Sequence, residues 1–414
     1  MSKSFYLFIV LLLGVNVWDL LIVNQVFNAV TNPIFAAIWA FMGIYWFRTR
    51  PGYSKNHAFM KYNSYFFWLV AGFSLSVVSA NIFWNQGWAT GIIVNRFLIW
   101  YIFLPMLIYI QPTGEEIMKA LTYYSLGYIL IWTVQAITPY PIYSGLASSI
   151  ELGRGKFELA ETDFGQLIPG YSVILFLLYY KTQQMKENPN LGNTIVALSL
   201  MIFFFLLQNR GALFIAVIIF GYALFTMRAR YRILMLLVFG MFVGIAYFYS
   251  ADHWNSLLQE TIEQVNDPFT NRWMSFNFFV FEYTPHWICN ILGNGLLSAN
   301  VPAGELIQNL MDQGYYQYDN GMVGFWSQYG IIPLLVLYTV IFKVLFKRRY
   351  PFYLKAMAGH ILVMPIAWNF GSADILIFVM LIYLYAYYRE SPDYQQAEYP
   401  SNEIFEPERS LALR

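Results

Sequence analysis

The sequence predicts an all-α polytopic membrane protein of about twelve transmembrane helices with one large extracytoplasmic loop, and three observations carry that expectation. The first is composition. Of the 414 residues, 58% are hydrophobic, 20% aromatic and only 11% charged, well outside the averages of a soluble globular domain. The second is a succession of apolar runs near the length that crosses ~30 Å of hydrocarbon. The third is the placement of lysine and arginine, which gather in alternate connections as the positive-inside bias requires.

In chain order the apolar runs lie near 4–22, 31–47, 64–84, 88–110, 120–138, 166–180, 193–208, 211–227, 233–250, 321–342, 353–368 and 375–388. The first follows MSKS without an A-x-A cleavage site, so it is expected to be retained. With both termini in the cytoplasm, all but five of the 24 cations fall on the cytoplasmic side. The exceptions are Arg96, Arg154, Lys156, Arg210 and Arg272. The chain then divides into transmembrane helices 1–9 over 1–250, an extracytoplasmic loop with short helices over 251–320, and helices 10–12 over 321–388. The tail over 389–414 is polar, acidic and proline-containing, and is expected to be disordered in the cytoplasm.

Several function classes are excluded at this level. A net charge of +1 with scattered cations argues against a nucleic-acid partner. Cys289 is the only cysteine, so neither an intrachain disulfide nor a cysteine-rich metal site can form. His253 and His286 have no second histidine or cysteine at ligand spacing, so no metal is expected, and no cofactor either.

The misplaced cations need a reason, because a charge in or beside a membrane span costs several kcal/mol unless it faces a polar cavity or a partner. For Arg96, in IIVNRFLIW, pairing with an acid such as Asp19 or snorkelling outward competes on equal terms with binding. Arg210, in LLQNRGALF, stands at the outer end of a short helix just before Gly211, where the backbone is free to turn tightly. Arg272 opens NRWMSFNFFVFEYTPHW in the long loop. A guanidinium fork donates two parallel hydrogen bonds to phosphate oxygens and stays charged, so Arg210 and Arg272, with Arg96, are the candidate pyrophosphate ligands.

Two outer segments surround them. The stretch from Pro139 to Gly165 carries Arg154, Lys156, Glu158, Glu161 and Asp163, and reads either as the rim of a cleft or as a solvated connection with compensated charge. Where the stretch from Ala251 to Tyr318 begins, SADHWNSLLQETIEQV from Ser250 has an apolar spacing that fits an amphipathic surface helix. NRWMSFNFFVFEYTPHW is expected to pack back on the bundle, and GNGLLSAN reads as a turn. Loops this long are uncommon unless they do something. Within the spans, Pro333 and Pro365 predict kinks, and Gly240 with Gly244 predicts close helix packing. The polar turn Asn369–Asp374 is expected to border the same cavity.

An NRG string at a helix end, R-W followed by P-H-W and G-N-G, and then DNGMVGFWSQYGIIPLL together resemble the O-antigen ligase and polymerase superfamily over roughly Leu207 to Leu335. The resemblance implies a GT-C type glycosyltransferase in the bacterial cytoplasmic (inner) membrane, with its active site on the extracytoplasmic face. It implies polyprenyl-pyrophosphate-linked oligosaccharides as substrates, and gives Arg210 and Arg272 the donor pyrophosphate. A chain-length regulator and a flippase are the partner proteins it suggests. Where the ligases carry histidine, this chain has Asp319 followed by Asn320. That departure favours a polymerase over a ligase.

Sugar transfer from a pyrophosphate requires stabilising the departing phosphate and removing a proton from the attacking hydroxyl. Fixed arginines supply the first without a metal. A carboxylate supplies the second. Asp319 is the first candidate base and Glu282 the second, with Asp163 behind them at the edge of the glycan site; an N-cap at a helix start is the competing role for Asp319. Tyr315, Tyr316 and Tyr318 are the candidate sugar-stacking faces, while Trp254, Trp273 and Trp287 read first as an interfacial belt. Three functions therefore stand: a glycan polymerase, a ligase that uses a lipid A core sugar as acceptor, and a lipid-linked glycan transporter. No internal repeat between the halves supports the transporter.

Overall fold

The computed structural model describes residues 2–14, 25–49, 57–137, 158–159, 162–163, 170–206, 210–227, 271–298, 301–313, 315, 321–363 and 372–390, with isolated helical positions between 231 and 262. The side chains of Asp163, Arg96, Arg210 and Arg272 lie outside the described set. So do Asp319, Tyr316, Tyr318 and Pro365, nearly all of the Pro139–Gly165 and 251–266 segments, and the tail from 391.

The fold is all-α, apart from a two-residue antiparallel bridge that pairs Glu158 with Asp163 and Leu159 with Thr162. In order, the helices are α1 (Lys3–Gly14), α2 (Gln25–Arg48), a 3₁₀ turn (His57–Tyr62) leading into α3 (Asn63–Trp84), and α4 (Trp88–Val94). A second 3₁₀ stretch (Arg96–Ile102) continues into α5 (Phe103–Ile110), followed by α6 (Gly114–Ile137), α7 (Tyr171–Glu187), α8 (Leu191–Leu206) and α9 (Arg210–Phe225). The long loop contributes α10 (Asn271–Asn277) with a π turn (Phe278–Glu282), α11 (Cys289–Leu292) and α12 (Pro302–Asp312). The chain then forms α13 (Gly321–Tyr329), α14 (Ile331–Phe346), α15 (Phe352–Val363) and α16 (Ser372–Glu390).

Two helices form the centre. Residues Ile375 to Tyr385 of α16 are buried on every face, and α16 touches α1, α5, α7, α14 and α15. A helix apolar all round belongs in such a position, provided that its polar tips are satisfied. Here Tyr383 donates to the Pro112 carbonyl at 2.7 Å, and the Tyr388 and Tyr353 hydroxyls meet at 2.9 Å. The second central helix, α7, is buried from Ser172 to Tyr179 and packs against α6, α8, α9 and α15. Close approach is local: Gly72 of α3 leaves room for the Pro333 ring of α14, which would stand 2.5 Å from a Cβ there. Gly240 and Gly244 show no such packing, since a Cβ on either meets nothing within 4 Å among the described residues.

The outer faces are apolar as well. Leu126, Leu130 and Val134 on α6, Phe214, Ile218, Tyr222 and Phe225 on α9, and Ile34, Ile38, Phe41 and Tyr45 on α2 are exposed at helical spacing. By length and composition one helix, His57–Trp84, with mean hydropathy 1.8, suffices to cross a membrane. A second span results if Trp88–Val94 and Leu98–Ile110, bent by 69°, count as one. Other apolar helices, among them Lys3–Leu13, Leu191–Phe204, Ala212–Phe225 and Ile331–Phe346, are shorter.

Two expected continuous spans are interrupted. The run 88–110 bends at Asn95, and the run 321–342 breaks at Gly330 into α13 and α14. Pro333 accounts for the second break, because its ring would clash with the carbonyl four residues earlier, that of Tyr329. It sits instead in the first turn of α14, where a proline is tolerated, so the expected kink is a complete break.

The cations collect around one end of the long helix. Lys61 pairs with Glu390 at 2.7 Å, and Tyr62 donates to the same carboxylate at 2.6 Å. Arg389 donates to the Tyr385 hydroxyl at 2.8 Å, and Lys343 lies over the Tyr65 and Tyr385 rings. Trp84 closes the same helix 23 residues after Lys61, roughly 35 Å away at helical rise.

Candidate functional site

At the Trp84 end, the loop that follows α10 is driven back into the bundle. The break at Gly330 strips α13 of the intrahelical partners for its last carbonyls, and such orphan groups need partners when buried. The GNG turn supplies them: the Asn294 and Gly295 backbone N–H groups donate to the Ser327 and Gln328 carbonyls, both at 2.8 Å. The Asn294 side chain adds a 3.0 Å bond from its amide nitrogen to the Ser327 carbonyl, while its oxygen accepts from the Trp84 indole at 3.1 Å. Asn294 is fully buried. A buried amide with both ends engaged holds the turn in register with two helices at once.

The turn also reaches α3. Gly295, at φ +73°, lies against that helix so closely that a Cβ would stand 2.7 Å from the Ala80 Cβ and 2.8 Å from the Ser76 carbonyl. Ser76 is eight residues before the helix end, so the loop penetrates roughly 12 Å below Trp84. Gln86 fastens the chain that leaves the turn, donating to the Leu296 carbonyl at 2.9 Å and accepting from the Ser298 N–H at 2.8 Å. Asn81 in turn donates to the Gln86 carbonyl at 2.9 Å, and Trp326 donates to the Asn290 carbonyl at 2.8 Å.

Aromatic stacking fixes the entry to this turn. Tyr283 stacks on Trp84 at 5.3 Å, and His286 stacks on Phe83 at 5.5 Å with ring planes 11° apart. The segment NRWMSFNFFVFEYTPHW thus splits its aromatics: Phe279 and Tyr283 are buried, with the π turn against α13, while Trp273, Phe281 and Trp287 remain exposed. Trp273 and Phe276 stack nearly parallel at 5.4 Å on its first turn.

Of the residues that sequence selects, Glu282 and Tyr315 have described side chains in this region. Glu282 closes the π turn and is exposed; the half-buried Tyr315 packs its ring on Phe278, which opens that turn, at 5.3 Å. Arg272 is the second residue of α10, at the start of the same segment, and Arg210 is the first residue of α9. Arg96 opens the 3₁₀ stretch after the bend at Asn95, and Asn95 is buried with its side-chain oxygen unpartnered. Asp163 lies in the short bridge.

Sequence reasoning missed the residues that build this turn: Trp84, Gln86, Asn294, Ser327, Gln328 and His286. The signal was present as polar letters inside otherwise apolar runs, S-A-N before Trp84 and S-Q-Y-G before the break, which a span in continuous contact with hydrocarbon has no reason to carry. No family model, curated protein or solved structure matches this chain.

Proposed function

We propose that the chain is a polytopic inner-membrane glycosyltransferase of GT-C type that polymerises a lipid-linked glycan. One observation carries the reading. A polar loop is bonded into a bundle whose outer faces are apolar, at the end of α3 opposite the cation cluster. Non-helical backbone at membrane depth is tolerated only where it is buried in protein or lines a polar cavity, so such a loop marks a functional mouth. Lysine and arginine at the other end fit a cytoplasmic side there, with both termini inside and about twelve passages, several through short or broken helices.

The reaction proposed joins the anomeric carbon of a polyprenyl-pyrophosphate-linked glycan to a hydroxyl oxygen of a second lipid-linked repeat. The anomeric carbon–oxygen bond to pyrophosphate breaks, polyprenyl pyrophosphate departs with the bonding electrons, and the hydroxyl proton passes to a carboxylate. Arg210 and Arg272, with Arg96 in support, stabilise the departing phosphate. Asp319 is the first choice for the base and Glu282 the second, and Tyr315, Tyr316, Tyr318 and Asp163 border the sugars. A chain-length regulator and a flippase are the partner proteins this activity calls for.

Purified protein incubated with a lipid-linked oligosaccharide repeat from its native host tests the reading, with products separated by size. A ladder spaced by one repeat is the expected result. Transfer only when lipid A core is added would make the chain a ligase, and translocation in vesicles with neither product would make it a transporter.

A further inference from the structure

His286 has no part in the reaction proposed above, yet its ring geometry is specified by its neighbours. Its ring stacks on Phe83 at 5.5 Å and is tilted against Trp287 at 5.7 Å, and the residue is exposed. The Ile288 backbone N–H donates to its Nδ1 at 3.2 Å. A ring nitrogen that accepts a hydrogen bond carries no proton, so the neutral imidazole has its proton on Nε2. Its Nε2 edge is therefore a donor. Phe83 and Trp84 end the long apolar helix, so in the membrane orientation proposed above this donor stands at the level where hydrocarbon gives way to headgroups. A lipid-linked pyrophosphate places its oxyanions at that level, and a fixed N–H is their complement.

We infer that His286 donates a hydrogen bond through Nε2 to a phosphate oxygen of the polyprenyl-pyrophosphate substrate, as a binding residue separate from the arginines. This rests on the function proposed above, because the ligand is that reaction's donor. Stacking on Phe83 holds the ring and the Ile288 N–H selects its tautomer, so the donor is preorganised.

The test measures binding of polyprenyl pyrophosphate, and of polyprenol as a phosphate-free control, to the full-length protein in nanodiscs. His286→Ala removes ring and donor, His286→Phe keeps the stacked ring without the donor, and His286→Gln restores an N–H donor at a similar reach. The Ala and Phe variants are expected to bind polyprenyl pyrophosphate roughly 10- to 100-fold more weakly, the range for losing a hydrogen bond to a charged group, with polyprenol binding unchanged. The Gln variant should recover most of the loss. Restoration by Phe, or wild-type affinity in all three variants, overturns the inference while leaving the proposed function intact. A wild-type protein that does not bind polyprenyl pyrophosphate overturns both.

Discussion

Gly293 and Gly330 meet backbone to backbone: a Cβ on Gly293 would stand 2.6 Å from the Gly330 nitrogen, and one on Gly330 would stand 2.7 Å from the Gly293 nitrogen. Both also hold positive φ, +85° and +76°. The turn of the long loop and the break in the α13–α14 segment are therefore one feature seen from two sides. Neither glycine can gain a side chain without separating the strands of chain that bond Asn294 and Gly295 to α13.

Gly293→Ala and Gly330→Ala should each destabilise the protein. The left-handed backbone alone costs about 1–3 kcal/mol for a residue with a Cβ, and the clash adds to it because the opposing atoms are backbone. Gly127→Ala is the contrast, since a Cβ there meets nothing within 4 Å in the middle of α6. Thermal unfolding of the purified variants in detergent checks this: the first two should melt well below wild type, and Gly127→Ala at or above it. Equal melting of all three would show that the close approach does not hold the loop.

Asn294 joins three elements through one buried amide, so its removal should be felt at Trp84. Asn294→Ala leaves the Trp84 indole N–H without its 3.1 Å partner and the Ser327 carbonyl with one donor fewer. Burying an orphaned donor costs about 1–3 kcal/mol. Trp84→Phe in the Asn294→Ala background should then cost less than it does alone, because the orphaned group has gone. A double-mutant cycle in unfolding free energy measures the coupling, and strictly additive losses would refute the bond's contribution.

Glu390 gives the cation end a defined acid response. Burial pushes its carboxyl up, but the hydrogen bonds from Lys61 and Tyr62 and the charges of Lys61 and Arg389 outweigh burial, so it titrates below its ordinary range. A carboxyl depressed on folding contributes stability above its unfolded value and loses it as pH falls through its folded value. Glu390→Gln should accordingly melt lower than wild type at neutral pH, with the gap closing below about pH 4. Melting curves for both proteins between neutral and acid pH check the sign; a gap that widens in acid contradicts it.

The helical class was legible in the sequence because apolar runs are a local property, and the fold is all-α apart from one two-residue bridge. Lys61 and Lys343 gather with Glu390 and Tyr385 at one end. The break at Gly330 was read only as a kink at Pro333, although the polar S-Q-Y-G before it announced more. A break in an apolar helix is stable only if something caps the freed carbonyls, and the cap, Asn294 with Gly295, lies 33 residues earlier in the chain. No window on either segment alone contains that partnership. The same holds for His286, whose tautomer is set locally by Ile288 but whose position is set by Phe83, more than 200 residues away. Tyr315 was selected for its chemistry, and its contact with Phe278, at the start of the π turn that Glu282 ends, became visible only in the fold.

Arg210 and Arg272 carry the sharpest functional test. Each stands within the first two residues of a helix, Arg210 on α9 and Arg272 on α10. If they hold the departing pyrophosphate, Arg210→Ala and Arg272→Ala should each lower polymer formation by about 10²–10³, the loss seen when a preorganised donor to developing charge is removed. Lysine at either position should recover only part of it, because an ammonium supplies charge without the planar fork that grips two oxygens. The amount of each variant in the membrane should match wild type. Product ladders run beside membrane blots check both statements. Polymer retained by both alanine variants would remove the arginines from the reaction and leave the outer loop as a structural plug.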